Sequence, residues 1–397
     1  MDIKERFLKY VSFHTASDED SLSCPSTARQ MELAKYLAEE LKNIGLDDAC
    51  YDEKGYVYAH LKANYNTDET IGFIAHMDTS PSAPGDNIHP RSFIYKGGDI
   101  ELQNGVVTSV KDFPQLESYK NKELIVTDGT TLLGADDKAG VAEIVSAVEY
   151  LIAHPEIRHK NISVAFTPDE EVGRGTESFD IEKFGAAAAY TVDGGALGEL
   201  EYECFNAAAV KITVKGVNIH PGTAKNKMKN SVLMANEFIS LLPAAETPAH
   251  TEGYEGFYHI CEMKGDESET VIKMIIRDHD RASFENRKSF IENLTNYMNS
   301  VYGESFFAEI KDSYYNMREI IEQGSMWLVE NAENAMKNAG VSPKIVAIRG
   351  GTDGAMLTYK GLPCPNLSTG GENFHGVHEF VCVDDMKKMV EVILNLC

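Results

Sequence analysis

An open, mostly parallel α/β sheet carrying a smaller inserted α+β unit is the architecture predicted by three features of this 397-residue chain. Strand-like and helix-like segments alternate through its first half, as they do where helices cover a parallel sheet. Beyond Asn206 the order changes to β-α-β-β-α-β, the pattern of a ferredoxin-like unit. The length exceeds what one hydrophobic core usually supports, and 43% apolar residues is ordinary for a globular chain, so two domains are expected.

Taken in order, Ile3 to Phe13 and Thr27 to Ile44 carry apolar residues at helical spacing, and Gly45 is a suitable C-terminal stop for the second. Tyr51 to Leu61 and Thr70 to Ala75 read as strands, the latter an apolar run that stops at His76. A loop with Pro81, Pro84 and Pro90 follows, then a helix over Lys138 to Ala153 and strands at Ile162 to Thr167 and Ala187 to Val192. Past Asn206, strands are expected at Val210 to Val214, Phe257 to Met263, Thr270 to Ile276 and Phe306 to Ile310. Helices are expected at Ser231 to Leu242 and Phe284 to Tyr302. Met317 to Ala339 resumes a long helix. The expected division is a discontinuous first domain, 1–206 with 312–397, and an inserted domain over 207–311.

Composition excludes several function classes. A net charge of -25, from 62 acidic against 37 basic residues, disfavours nucleic acid or an anionic membrane as partner. The same acidity, with no aromatic-basic strand motif, argues against RNA binding by the ferredoxin-like unit. No stretch approaches the roughly 20 apolar residues of a membrane span, and Met1-Asp-Ile-Lys-Glu-Arg leads into an amphipathic pattern without a signal core, so a cytoplasmic location is expected. Seven cysteines without paired spacing favour reduced thiols. Cys364, between two prolines, has no evident base nearby and reads as a small packed hydrophobe.

The chemistry lies in short acidic and histidine-bearing segments that follow apolar runs, at the strand ends where open α/β sheets bind ligands. Imidazole nitrogen mixed with carboxylate oxygen suits zinc and similar divalent ions. His76 ends a buried strand, where a lone histidine is by default a packed or surface residue. Asp78, two residues on in an extended segment, can accept its second ring N–H and fix its tautomer. Asp136-Asp137-Lys138 opens a helix, so one aspartate is explained by N-capping. The other is free to bridge two cations, and Asp136 is taken as the bridge with Asp137 as the cap. In Asp169-Glu170-Glu171 adjacent side chains point in different directions, so one glutamate can bind metal while the other stays free as general base. Glu170 is assigned the base and Glu171 the ligand. Asp193-Gly194-Gly195 reads either as a turn or, from its place in the strand order, as a ligand. His375 and His378 compete for the last position, and His378, before Glu379-Phe380-Val381, is preferred. His220, Arg277 and Arg349 are surface residues by default, although an arginine beside glycines can offer a bidentate fork to a carboxylate.

Seven motifs then resemble a known family nearly end to end. They are Ile74-Ala-His-Met-Asp-Thr79, Thr131-Leu-Leu-Gly-Ala-Asp-Asp-Lys-Ala-Gly140, Thr167-Pro-Asp-Glu-Glu-Val-Gly173, Asn218-Ile-His-Pro-Gly-Thr-Ala-Lys225, Thr251-Glu-Gly-Tyr-Glu-Gly-Phe257, Arg349-Gly-Gly-Thr-Asp-Gly354 and Gly376-Val-His-Glu-Phe380. With Asp312-Ser-Tyr-Tyr-Asn-Met-Arg318 they resemble the peptidase T family of tripeptide aminopeptidases, within the wider group of di-zinc peptidases that includes carboxypeptidase G and aminoacylase. The resemblance implies two zinc ions, one held by His76, Asp136 and Asp193 and the other by Asp136, Glu171 and His378. It implies that Asp78 supports His76, that Glu170 is the base, and that the inserted domain is a lid and dimerisation unit. It further implies that His220 stabilises the oxyanion, that Arg277 and Arg349 help bind substrate, and that the protein is a homodimer. Glu372, Phe374 and His279 depart from the family pattern and bear on substrate preference. The expected activity is removal of the N-terminal residue from tripeptides by water activated at the metals, with Glu170 moving the proton. The rival readings are deacylation of N-acyl amino acids and peptide binding without turnover.

Overall fold

Three apolar runs make the centre of the first sheet: strand 161–167 pairs in parallel with 70–76, which pairs in parallel with 189–194. They are buried along nearly their whole length, as strands covered on both faces must be. The computed structural model describes residues 1–397. In it the full sheet has eight strands, in the order 50–51, 57–61, 161–167, 70–76, 189–194, 366–368, 199–204 and 344–348. The strands beside the parallel centre, 57–61 and 199–204, run antiparallel to their neighbours. Helix Ala135–Ala153 lies on strands 70–76 and 189–194, beside helices Ile3–Val11 and Val383–Leu396. It sits so close that a Cβ on Gly140 would overlap the Val192 carbonyl oxygen, so this position admits only glycine. Helix Gln30–Ile44 ends at Gly45 in the left-handed region, as its sequence implies. Ile74, Ala165 and Ala189 pack into a further apolar cluster with Phe184, Leu357 and Leu362.

A second sheet was not legible in the sequence. Strands 91–94, 123–126, 380–382 and 371–372 pair antiparallel over a separate core of Tyr95, Leu116, Tyr119, Leu124 and Phe380. Each has four residues or fewer, below the length at which alternation becomes a signal. The sheet matters because its strands 371–372 and 380–382 hold the loop that carries both candidate histidines.

The chain divides into two compact units, one of residues 1–202, 319–346 and 352–397, the other of 203–318 and 347–351. In the second unit the sheet order is 257–265, 269–278, 206–215, 306–314, all antiparallel, which is the ferredoxin-like order. Helices Ser231–Ser240 and Arg281–Tyr302 supply Met234, Phe238, Phe284, Ile291 and Met298 to its core. The unit is larger than the 207–311 expected from sequence. Strand 306–314 stays paired with the first strand through Tyr314, and the Phe205 N–H donates to the Gly350 carbonyl, which ties in the short piece 347–351. The long helix expected over 317–339 is broken into Arg318–Ile321 and Met326–Asn338, with Gly324 in the break.

Candidate metal centre

His76 is the last residue of strand 70–76, and its imidazole is almost wholly buried. Its Nδ1 faces the Asp78 backbone carbonyl at 3.1 Å and an Asp78 carboxylate oxygen at 3.4 Å, so this nitrogen carries the proton. In that tautomer Nε2 keeps its lone pair for a metal, and it lies 2.9 Å from Asp136 Oδ1 and 3.3 Å from Asp193 Oδ1. The Asp78 carboxylate does more than the expected orienting of His76. Its two oxygens accept the backbone N–H groups of Glu170 and Glu171, at 3.0 and 3.1 Å, and so hold the turn that carries both glutamates.

Asp136 and Asp137 divide their work. Asp137 is fully buried; its Oδ1 accepts the Gly140 N–H in the manner of a helix cap and its Oδ2 accepts the His76 N–H. Asp136 instead turns its oxygens to two different imidazoles: Oδ1 to His76 and Oδ2 to His375 Nε2 at 3.0 Å. The same His375 nitrogen lies 3.0 Å from Glu171 Oε2. His375, not His378, therefore faces Asp136 and Glu171. His378 points away, with Nδ1 2.9 Å from Thr108 Oγ1 and its ring 5.0 Å from that of Phe113. Spacing alone left this choice open, because the loop between the two short strands turns through Asn373 and His375 in left-handed backbone conformations that sequence periodicity does not register.

The residues fit a pair of divalent cations. Donor atoms of His76, Asp136 and Glu171 lie within 4.8 Å of one another, as do those of His76, Asp137 and Asp193. Glu171 Oε1 is buried without a hydrogen-bond partner, a cost of about 1–3 kcal/mol unless something binds it. The titration of the cluster reports the same demand for positive charge. Burial, then Asp136, pushes the Glu171 carboxyl up to about 7, and burial pushes Asp193 up to about 6. Burial would lift Asp136 too, but the hydrogen bonds to His375 and His76 hold it well below the usual range. His375 is raised to about 11 by its bonds to Asp136 and Glu171. Burial would lower His76, but Asp193, Asp136 and Asp78 outweigh it and hold it well above an ordinary histidine. Glu170, partly buried beside this group, is raised well above a usual carboxyl, mainly by burial.

Sequence reasoning passed over several residues that shape the site. The buried Glu379 carboxylate accepts N–H groups from Leu133, Gly134 and Asp136, which fixes the loop that presents Asp136. The buried Asp169 accepts from the Ser26 N–H and Gln30 Nε2 and anchors the Glu170 turn from below. Asp353 accepts from Thr167 Oγ1 at the end of strand 161–167. Each adjoins a motif residue in sequence, so the signal was a second carboxylate or glycine-flanked aspartate within a motif already noted.

The three residues of the second unit have these surroundings within it. His220 is exposed, with Nδ1 accepting the Gly222 N–H at 3.2 Å. Arg277 stacks 4.9 Å over the Tyr314 ring, and its Nη1 is buried without a hydrogen-bond partner. Arg349 is committed locally: its fork donates to the carbonyls of Gly253, Glu255 and Thr251, and it lies over Phe205. The free carboxylate-binding fork expected of Arg349 is thus engaged in holding the 251–255 loop. All seven cysteines are free, and no helix is long and apolar enough to cross a membrane.

Comparison with known proteins places this geometry. The model of "Peptidase family M20/M25/M40" matches residues 126–397. The chain is 54% identical to a protein named Peptidase T from Caldanaerobacter subterraneus subsp. tengcongensis, over 99% of this chain and 97% of that one. Among solved structures it resembles aminopeptidase PepT from Bacillus cereus, with a TM-score of 0.77 at 23% identity, covering 99% of this chain and 96% of that one. It also resembles a dinuclear metal-binding M20 peptidase of Bacillus subtilis, with a TM-score of 0.66 at 14% identity, covering 99% and 97%.

Proposed function

Because the chain belongs to peptidase family M20/M25/M40 and is therefore a peptide-bond hydrolase, we propose that it is a zinc-dependent aminopeptidase that removes the N-terminal residue of tripeptides. The observation that carries the chemistry is the Asp136 carboxylate, with one oxygen toward His76 and the other toward His375. The substrate class is supported by the identity to Peptidase T along the whole chain. In this reading His76, Asp136 and Asp193 hold one zinc, and Asp136, Glu171 and His375 hold the other. The metals, when bound, lower the pKa of water and polarise the peptide carbonyl.

The chain's own groups move the proton and hold the substrate. Glu170 Oε takes a proton from the attacking water and returns it to the leaving amine nitrogen. A partly buried carboxyl, one residue from Glu171 and free of a metal, can serve both halves of that transfer. Asp78 keeps Glu170 and Glu171 in register by gripping their backbone N–H groups. His220 stabilises the developing oxyanion, and Arg277, with an Nη1 still lacking a protein acceptor, binds the substrate carboxylate. Arg349 contributes by fixing the 251–255 loop. The second unit acts as lid and dimerisation domain of a cytoplasmic homodimer.

The test is release of the N-terminal residue from a free tripeptide, beside a dipeptide, a tetrapeptide and an N-acetyl tripeptide, in zinc-loaded and chelated enzyme. Zinc-dependent cleavage confined to the free tripeptide is expected, and cleavage of the acetylated substrate instead would move the activity to deacylation. Glu170→Gln with zinc still bound should lose roughly 100-fold to 10,000-fold in kcat; near-full activity would remove Glu170 from the mechanism.

A further inference from the structure

The first unit contains a cavity of about 580 Å³ that no step above uses. It is walled on one side by Gly195 to Leu197, which follow Asp193, and on the other by Gly371 to Phe374, which lead into His375. The two walls are joined by backbone bonds, from the Thr369 N–H to the Gly194 carbonyl at 3.1 Å and from the Gly370 N–H to the Gly195 carbonyl at 2.9 Å. The cavity is therefore built on the segments that carry the site's last two ligands.

Its charges do not balance. Lys122 is matched by Asp385 at 2.7 Å and Lys344 by Glu199 at 3.2 Å. Glu372 has no cation within ion-pair distance, Lys344 acting on it only from farther off and being itself paired with Glu199; its Oε1 accepts the hydroxyl of the buried Tyr119 at 2.8 Å, and Gln115 is its other neutral donor. A partly buried carboxylate supported by neutral groups favours a cation that enters the cavity, where screening is weaker than in bulk water. Phe374 in the wall offers an apolar ring to the alkyl stem of such a group. The volume is far more than an α-ammonium group requires and accommodates a long side chain.

We propose that this cavity receives the side chain of the peptide's first residue and that Glu372 selects a cationic one, lysine or arginine. The assignment rests on the aminopeptidase reading above and adds to it a substrate class. Glu372 is a specificity residue, paired with the substrate ammonium or guanidinium, while the reacting atoms remain with Glu170 and the metal ligands.

The experiment compares kcat/KM for Lys-Gly-Gly with that for norleucyl-Gly-Gly, which keeps the stem and lacks the charge, in zinc-loaded enzyme. The ratio is taken on one preparation, so partial loss of folded protein cancels. The wild-type enzyme should favour lysine by about tenfold or more, the usual strength of a charge-assisted contact, and Glu372→Gln should bring the ratio close to one. A wild-type ratio near one, or a ratio unchanged in Glu372→Gln, would overturn the assignment while leaving the aminopeptidase reading intact. If no tripeptide is cleaved, that reading fails, and calorimetric binding of lysinamide decides the cavity separately. Binding at least tenfold weaker in Glu372→Gln supports the assignment, and equal binding overturns it.

Discussion

Replacing His375 and His378 one at a time separates the geometry of the final loop from the choice that spacing alone suggests. His375 Nε2 lies 3.0 Å from both Asp136 Oδ2 and Glu171 Oε2, and no other nitrogen is offered at that side of Asp136. Changes to groups that merely support a ligand cost about 10- to 100-fold in metal affinity, so loss of the ligand itself should cost at least about 100-fold. At free zinc set to about ten times the wild-type dissociation constant, occupancy of that position then falls from about 0.9 to about 0.1 by simple mass action. His375→Ala should retain about one zinc per chain under conditions where the wild-type protein is expected to take up two. His378→Ala removes one hydrogen bond to Thr108 and one ring contact with Phe113, a stability cost of about 1–3 kcal/mol with no change in metal content. The assay is dialysis against a zinc buffer followed by elemental analysis, with thermal melts alongside. Two zinc ions retained by His375→Ala, or one lost from His378→Ala, would refute the placement.

Two further outcomes concern the helix that presents Asp136. Glu143 is fully buried with neither carboxylate oxygen bonded, and burial, then Asp385, raises its carboxyl well above the usual range. The folded chain thus keeps a proton that the unfolded chain releases above the ordinary carboxyl pKa, so stability should fall as pH rises past that point, by about 1.4 kcal/mol for each unit of the shift. Glu143→Gln should match the wild-type melting temperature near pH 4 and exceed it at pH 8; parallel pH slopes for the two proteins would contradict this. Gly140→Ala would press a methyl group into the Val192 carbonyl, an overpacking cost of about 1–3 kcal/mol or more. Because Val192 precedes Asp193, zinc content should drop along with the melting temperature, and an unchanged melt would show that the helix can move away.

Why some of this was legible in the sequence and some was not follows from the length of the signals. Strands 70–76, 161–167 and 189–194 are long and apolar, and each ends at or within a few residues of a ligand-type side chain, His76, Glu170-Glu171 and Asp193, so the strand and its functional end could be read together. The cap role expected of Asp137 from helix-start chemistry matches its bond from the Gly140 N–H, while Asp136 turns its two oxygens to His76 and His375. Between His375 and His378 the sequence favoured the wrong one, because the choice depends on strands 371–372 and 380–382, too short to show a period, and on a loop with two left-handed residues. Glu379 stood in a motif already noted, but its role did not show there. The three backbone N–H groups that its carboxylate accepts belong to residues 243 or more positions away, so which groups it holds cannot be read locally.

The buried charges explain why the site calls for two dications and not one. Asp136, Asp193, Glu170 and Glu171 bring four negative charges when ionised, and His76 and His375 as ligands are neutral imidazoles. Buried Lys138 offsets only part of this: it donates to the Phe13 carbonyl, and burial lowers it to about 7. With only the chain's own groups available, Glu171 and Asp193 rise toward neutrality and the histidines take protons. A single divalent ion would leave two carboxylate charges uncompensated in a poorly solvated cleft, a cost of several kcal/mol per ion. Two divalent ions would match the four charges of these proposed ligands and base, while Asp78 and Asp137 are held by backbone N–H groups. By charge, this donor set suits two divalent ions better than one.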